Sequence, residues 1–289
     1  GCGVLGRSGT PIASYFMNEA DALLVIGASF SNHTGITAKI PTMQIDFDPL
    51  ALAKFHKIDV QLYGKISRTV GLLQAAGGDW RTNKVDRSKE IANRWAIWRA
   101  EKQKRLLEHG TDGISSIAVF DMLTRLAPEN AIMCVDVGNN AYSFGRYFES
   151  KRHTFLMSGY LGSIGFAFPA AMGAWAAVEN TRPIVAVAGD GGFCQYLAEL
   201  TTAVKYNMHI KTIILNNNEL GKISKEQRAG GWDKWATDLV NPDFSKYALS
   251  CGALGIRVSE QGQLEAAMKQ LFAHDGPGLI EIITDVKLI

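Results

Sequence analysis

An α/β protein built on doubly wound parallel sheets is predicted by three features of this sequence. Two apolar runs, 184–188 and 210–215, read as buried strands, and between them Leu197, Leu200, Thr201 and Val204 recur at helical spacing. Helix-like and strand-like segments then alternate over 113–289, which argues for a parallel sheet covered on both faces. Finally, the polar residues that could do chemistry lie just past strands. Gly189-Asp190-Gly191-Gly192 follows the first run and Asn216-Asn217-Asn218 the second. In open parallel sheets, ligands sit beyond the carboxyl ends of strands.

In chain order, residues 1–75 read as part of a doubly wound domain. The run 22–27 is a strand ending in Gly27, and 43–49 is another ending in a turn. Residues 76–112 change character. Gly77-Gly78 opens a polar stretch, and Trp95, Trp98, Arg99, Lys102 and Arg105 suggest an amphipathic helix ending near Gly110, a linker. Residues 113–289 form the second domain. Ile117, Phe120, Leu123 and Leu126 mark a helix, 131–135 a strand, and 166–178 an alanine-rich helix with Pro169 near its start, where proline is tolerated. The strand–helix–strand unit follows. After it come a helical stripe of Phe244, Tyr247, Ala248 and Cys251, a short strand at 256–258, a helix through Leu264, Ala267, Met268 and Leu271, and a last strand at 279–283.

Composition narrows the function classes. With 289 residues and 47% hydrophobic content, the chain can bury one large or two modest cores. A net charge of +2 without a basic stripe argues against nucleic acid. Cys2, Cys134, Cys194 and Cys251 form no C-x-x-C pair and read as reduced core thiols of a cytoplasmic protein. The six histidines show no metal spacing, and no run reaches membrane-spanning length. The chain opens on Gly1 rather than Met, which suggests a fragment or processed chain. Gly1, Gly3 and Gly6 satisfy G-x-G-x-x-G, with Asp21 near the distance of a ribose-binding acid, so a nicotinamide-dependent oxidoreductase is the rival reading. That fingerprint requires a strand directly before it, and Gly9-Thr10-Pro11 interrupts the helix that should follow.

Asp190 and Asn217 lie 27 residues apart. One carboxylate and one amide oxygen on neighbouring loops can hold Mg²⁺, which takes few protein ligands and completes its octahedron with water and phosphate oxygens. Glycines at 191 and 192 let backbone N–H groups approach a phosphate, and a helix start adds a favourable dipole. A hairpin turning at Asp190-Gly191 is the alternative, since Asp-Gly is a good hairpin signal, but the segment after it is helical rather than alternating.

The stretch 189–221 resembles the diphosphate-binding motif of thiamine-diphosphate (ThDP) enzymes. The resemblance covers nearly the whole chain. Residues 20–27 and 45–49 resemble the later part of a Rossmann-like central domain in the pyruvate oxidase and acetolactate synthase group, and 113–289 resembles the complete diphosphate-binding (PP) domain. Within it, Asp136-Val137-Gly138-Asn139-Asn140 is similar to a diphosphate-contacting loop, and 158–165 to the segment carrying the aminopyrimidine. The resemblance implies Asp190 and Asn217 as Mg²⁺ ligands, with Glu219 contributing its backbone carbonyl. Gly138, Asn139, Asn140, Gly191, Gly192 and Gly221 would bind the cofactor, and the Gly162 carbonyl would accept its 4′-amino hydrogen bond. Ile164 would wedge ThDP into a bent form. The run 219–227 and Asn241-Pro242-Asp243-Phe244 resemble pyruvate oxidases most, which places Glu226 near the reacting carbon. Lys222 departs from the aromatic residue of several oxidases, and Ser31-Asn32-His33-Thr34-Gly35 matches their flavin loop poorly, which leaves FAD open.

The implied function is decarboxylation of a 2-oxo acid, pyruvate above others, by a pyruvate oxidase-like enzyme. An acetolactate synthase-type carboligase is the alternative. The family's pyrimidine-binding (PYR) domain has no counterpart in these residues. The resemblance therefore implies a homodimer or tetramer with ThDP between this PP domain and the PYR domain of another chain, and a 289-residue fragment that is non-catalytic by itself.

Overall fold

The computed structural model describes residues 1–28, 34–77, 85–107 and 113–286. Its chain divides into two compact units, Gly1–Glu101 and Lys102–Ile289. In the first unit the glycine-rich opening folds as turns. Gly9 N–H donates to Gly6 O at 2.8 Å and Thr10 N–H to Val4 O at 2.9 Å. Helix α1 (Pro11–Asn18) begins only at Pro11, where Thr10 Oγ1 accepts from Ala13 N–H and proline fills the first turn. Gly1, Gly3 and Gly6 thus open no helix, and the dinucleotide alternative finds no structural support. Strands β1 (Leu23–Ile26), β2 (Thr42–Asp46) and β3 (Val60–Tyr63) form a parallel sheet in that order, followed by α2 (Ile66–Ala76). Four residues of mixed polarity gave β3 no sequence signal. Helix α3 (Ser88–Leu106) carries Trp95, Trp98, Arg99, Lys102 and Arg105. The end expected near Gly110 lies outside the described residues.

The second unit contains α4 (Ser116–Leu126), β4 (Ile132–Val135), α5 (Asn139–Tyr147), β5 (Thr154–Met157), α6 (Ala167–Val178), β6 (Ile184–Gly189), α7 (Asp190–Cys194), α8 (Glu199–Lys205), β7 (Ile210–Asn216), α9 (Gly221–Ala229), α10 (Phe244–Ser250), β8 (Leu254–Val258), α11 (Leu264–Ala273) and β9 (Gly278–Ile283). Its six strands are all parallel, in the order β5-β4-β6-β7-β9-β8. The hairpin alternative at Asp190-Gly191 therefore fails, because β6 and β7 run the same way with a helical crossover between them.

Burial on both faces explains why the central strands read as continuous apolar runs. On one face Ile184, Ala186 and Ala188 of β6 pack with Phe168 and Ala171 of α6, Leu200 of α8 and Phe244 of α10. The interleaved Val185, Val187, Ile213, Ile280 and Ile282 are just as buried, and α4, α5 and α11 lie on that other side. Phe193 sits between Phe168 and Phe244 in edge-to-face contacts of 5.4 and 5.8 Å. That ring stack pins α7, and with it Asp190 at the helix start. The four cysteines are free, but only Cys134 is a core thiol. Cys194 is exposed and Cys2 and Cys251 are half-buried, because Cys194 and Cys251 lie at helix ends and Cys2 in the irregular opening rather than inside strands. Among the described residues no helix is long and apolar enough to cross a membrane.

Candidate cofactor site

The strand order fixes where a ligand would go. The chain leaves β4 for β5 on one side and returns to β6 on the other. The loops after β4 and β6 therefore part at a topological switch point, where open α/β sheets bind ligands. A cavity of about 210 Å³ opens there. Gly138, Asn139 and Asn140 from the loop after β4 line it, with Gly162 and Ile164 from the loop after β5. Asp190, Gly191 and Gly192 follow β6, and Asn217, Glu219 and Gly221 follow β7. The structure thus brings together every site residue expected from sequence except Glu226. Lys222 lines the cavity and Glu226 lies one turn further along α9, 61% exposed and ion-paired to Lys222. Glu226 thus stands beside the cavity rather than among its lining residues.

Asp190 is almost fully buried. Its Oδ1 accepts from Gly191 N–H at 2.9 Å and its Oδ2 from Asn241 Nδ2 at 2.8 Å. Burial pushes its carboxyl above the ordinary range, against the pull of these hydrogen bonds. Asn217 Oδ1 accepts from Glu219 N–H at 3.0 Å. Burial also acts to raise the Glu219 carboxyl, but Lys234 at 2.6 Å and Arg228 at 3.5 Å hold it below the usual range. Lys234 takes Glu219 Oε2, while Oε1, 3.5 Å from Arg228, has no hydrogen-bond partner. Among the described residues no cluster of three or more His, Cys, Asp or Glu could hold a metal. One carboxylate, one amide oxygen and one carbonyl suit an oxygen-loving Mg²⁺ that keeps water and phosphate ligands, and suit neither zinc nor an iron cluster.

The cavity also fits a diphosphate. Helices α5, α7 and α9 all start on it, at Asn139, Asp190 and Gly221. First-turn N–H groups lack intrahelical partners and favour anions. Gly138 caps α5 at φ 115°, a conformation other residues rarely adopt. Asn139 Nδ2 is buried without any hydrogen-bond partner. An orphaned donor of this kind, aimed into a cavity at three helix starts, is the signature of a missing acceptor. The neighbouring Asn140 differs, since its Nδ2 is already spent on Asp136 O at 2.9 Å.

Sequence reasoning missed Asp136 as a site organiser. Its buried carboxylate accepts from Val137, Gly165 and Phe166 N–H at 2.8–3.1 Å. It thereby ties the turn carrying Gly162 and Ile164 to the end of β4. Burial pushes this carboxyl up to about 6, against three donors that lower it. Asn241 was quoted within a motif but given no role, and nothing local in the sequence links it to Asp190, 51 residues away.

Comparison with known proteins agrees with this geometry. Residues 136–282 match the family model of the thiamine pyrophosphate enzyme C-terminal TPP binding domain, and 1–73 that of the central domain. YdaP of Bacillus subtilis, described as thiamine pyrophosphate-containing, is 31% identical over 284 residues, covering 97% of this chain and 48% of that protein. The acetolactate synthase isozyme 2 large subunit of Escherichia coli is 28% identical over 98% of the chain and 51% of its own length. The acetolactate synthase large subunit of Haemophilus influenzae is 31% identical over 94% and 48%. The chain therefore spans about half the length of these relatives. The match of residues 136–282 to the TPP binding domain, with the match of 1–73 to the central domain, places this chain in the family of ThDP-dependent enzymes, in the acetolactate synthase and pyruvate oxidase group.

Proposed function

We propose that this chain is the cofactor-holding part of an acetolactate synthase-type carboligase that decarboxylates pyruvate and joins the remaining two-carbon unit to a second 2-oxo acid. The observation that carries the reading is its likeness, over 94–99% of its length, to acetolactate synthase large subunits of bacteria, archaea, algae and fungi. The oxidase reading preferred from sequence rested on the run 219–227, and its key side chain, Glu226, stands outside the cavity. ThDP, when bound, supplies the electron sink for loss of CO₂.

The chain's own residues bind and orient. Asp190, Asn217 and the Glu219 carbonyl would hold Mg²⁺. Gly192 N–H and Asn139 Nδ2 would hold the diphosphate, while Gly191 N–H holds Asp190 Oδ1 and its missing side chain leaves room for the ligand. The Gly162 carbonyl would accept from the aminopyrimidine, and Ile164 would support the bent form. Lys222, the sole cation among the cavity-lining residues, is paired to Glu226 and would have to exchange that partner to meet a substrate carboxylate. Beside the cavity Leu161 is 82% and Tyr160 65% exposed, apolar surface that suits a covering PYR domain from another chain of a homo-oligomer.

The test uses full-length protein with pyruvate, ThDP and Mg²⁺. Acetolactate should accumulate. Peroxide or dye reduction without acetolactate would overturn the carboligase in favour of the oxidase, and no pyruvate consumption would overturn the substrate. Visible absorbance of the purified protein reports FAD in the same preparation.

A further inference from the structure

Asn241 ties together the two loops that carry the metal-binding oxygens. Its Nδ2 donates to Asp190 Oδ2 at 2.8 Å, to Asn216 Oδ1 at 3.0 Å and to Asn218 Oδ1 at 3.1 Å. Two amide hydrogens serve three acceptors, so one of them is shared. The segment holding Asn241 is itself laced to the loop after β7. Leu220 N–H donates to Thr237 O and Leu239 N–H to Asn218 O, both at 2.8 Å.

The orientation of the Asn241 amide is not free. Asn216 Nδ2 donates to the buried Glu281 Oε1 at 2.7 Å, and Glu281 is in turn paired to Arg257 at 3.2 Å. A carboxylate only accepts, so Asn216 must point its amide nitrogen at Glu281 and its oxygen at Asn241. Asn241 must then present nitrogen, and the same nitrogen reaches Asp190. The polarity set by Glu281 thus propagates through two amides to the metal-binding carboxylate. With Oδ1 held by Gly191 N–H and Oδ2 by Asn241, the Asp190 carboxylate has one orientation.

We infer that Asn241 is a positioning residue for the Mg²⁺ site. It holds Asp190 and the turn bearing Asn217 at the spacing one ion needs. This rests on the ThDP–Mg²⁺ reading above. Outer hydrogen-bond partners of metal ligands typically contribute about 10–100-fold in metal affinity.

The experiment measures Mg²⁺ binding to full-length protein by calorimetry at fixed ThDP, with Mn²⁺ binding by electron paramagnetic resonance as a readout independent of turnover. Asn241→Leu removes the donors at similar volume, and Asn241→Asp sets an acceptor against Asp190. Both should weaken metal binding about 10–100-fold. At saturating Mg²⁺, ThDP affinity and kcat should return towards wild type, a repair that general misfolding would not allow. Asn241→His, which restores an N–H near the lost one, should recover most of the affinity even if the leucine variant folds poorly. Wild-type metal affinity in both Asn241→Leu and Asn241→Asp would overturn the inference alone. Failure of the wild-type protein to bind Mg²⁺ with ThDP would instead overturn the reading it rests on.

Discussion

Replacing Gly192 by alanine should be far more damaging than the same change at Gly191, one residue earlier. A Cβ on Gly192 would lie 2.1 Å from Asp136 Oδ2 and 3.0 Å from its Cγ. Ordinary contact begins near 3.4 Å, so the carboxylate would have to retreat by about 1.3 Å. It has nowhere to go, since it is buried and holds Gly165 N–H at 2.9 Å and Phe166 N–H at 3.1 Å. Losing two hydrogen bonds to a charged acceptor costs about 1.5–3 kcal/mol each, and overpacking adds about 1–3 kcal/mol. The low end, about 4 kcal/mol, is a large part of a typical domain stability of about 5–15 kcal/mol. At Gly191 the added Cβ meets Leu220 Cδ2 at 2.9 Å, Leu239 Cδ1 at 3.1 Å and Ile164 Cδ1 at 3.9 Å, the movable ends of flexible side chains. That change should cost about 1 kcal/mol or less. Urea unfolding of the cofactor-free chain gives both values. In an Asp136→Ala background the penalty of Gly192→Ala should shrink to about 1 kcal/mol. An unchanged penalty in that background, or a Gly192→Ala chain as stable as wild type, would refute the steric argument.

Asp190→Asn should abolish Mg²⁺-dependent ThDP binding in calorimetry without raising the melting temperature of the cofactor-free chain, because both carboxylate oxygens accept from N–H donors and an amide nitrogen would face one of them. Asp136 gives a pH signature of defined sign. Its carboxyl is raised from 3.8 to about 6 in the folded chain, so its contribution is fully present below about pH 4 and is lost as pH rises through 6. The span is worth at most about 3 kcal/mol. Asp136→Asn, which can keep the Oδ1 hydrogen bonds, should flatten denaturation midpoints between pH 4 and 7 relative to wild type, and an identical slope in both proteins would contradict it.

The legible parts of this chain are those where one physical signal dominates. Strands β4, β6, β7 and β9 are buried on both faces, so they appear as apolar runs that periodicity reads directly. The loops after β6 and β7 were legible because glycine, carboxylate and amide residues follow such runs. Strands β3 and β5 and helices α1, α2, α5, α7 and α9 were not. The first two are four-residue strands with exposed positions, and α7 starts inside the very glycine run that suggested a loop. Cys194 shows the same limit. It follows Phe193, but a five-residue helix turns it outward while it buries that ring.

What the sequence hid was pairing across the site, and here the structure departs from the rules that make sequences readable. Asp136, Asp190 and Glu281 are carboxylates in a core, and Asn139 holds an unmatched donor beside them. Propensity and periodicity count such residues as errors, since each buried polar group costs free energy unless it is satisfied. Two of the four are satisfied internally: Asp136 by three backbone donors, and Glu281 by Asn216, Ser245 and Arg257. The other two face the cavity: Asp190, hydrogen-bonded at both oxygens and raised by burial as Asp136 is, and Asn139, whose Nδ2 has no partner. Both line the cavity, one calling for a cation and the other for an acceptor. Mg²⁺ and a diphosphate meet both demands at once, and neither alone meets both. Organising groups and binding groups can therefore be told apart by whether they line the cavity, as Asp190 and Asn139 do and Asp136 and Glu281 do not, and that distinction depends on contacts between loops as far as 51 residues apart in sequence.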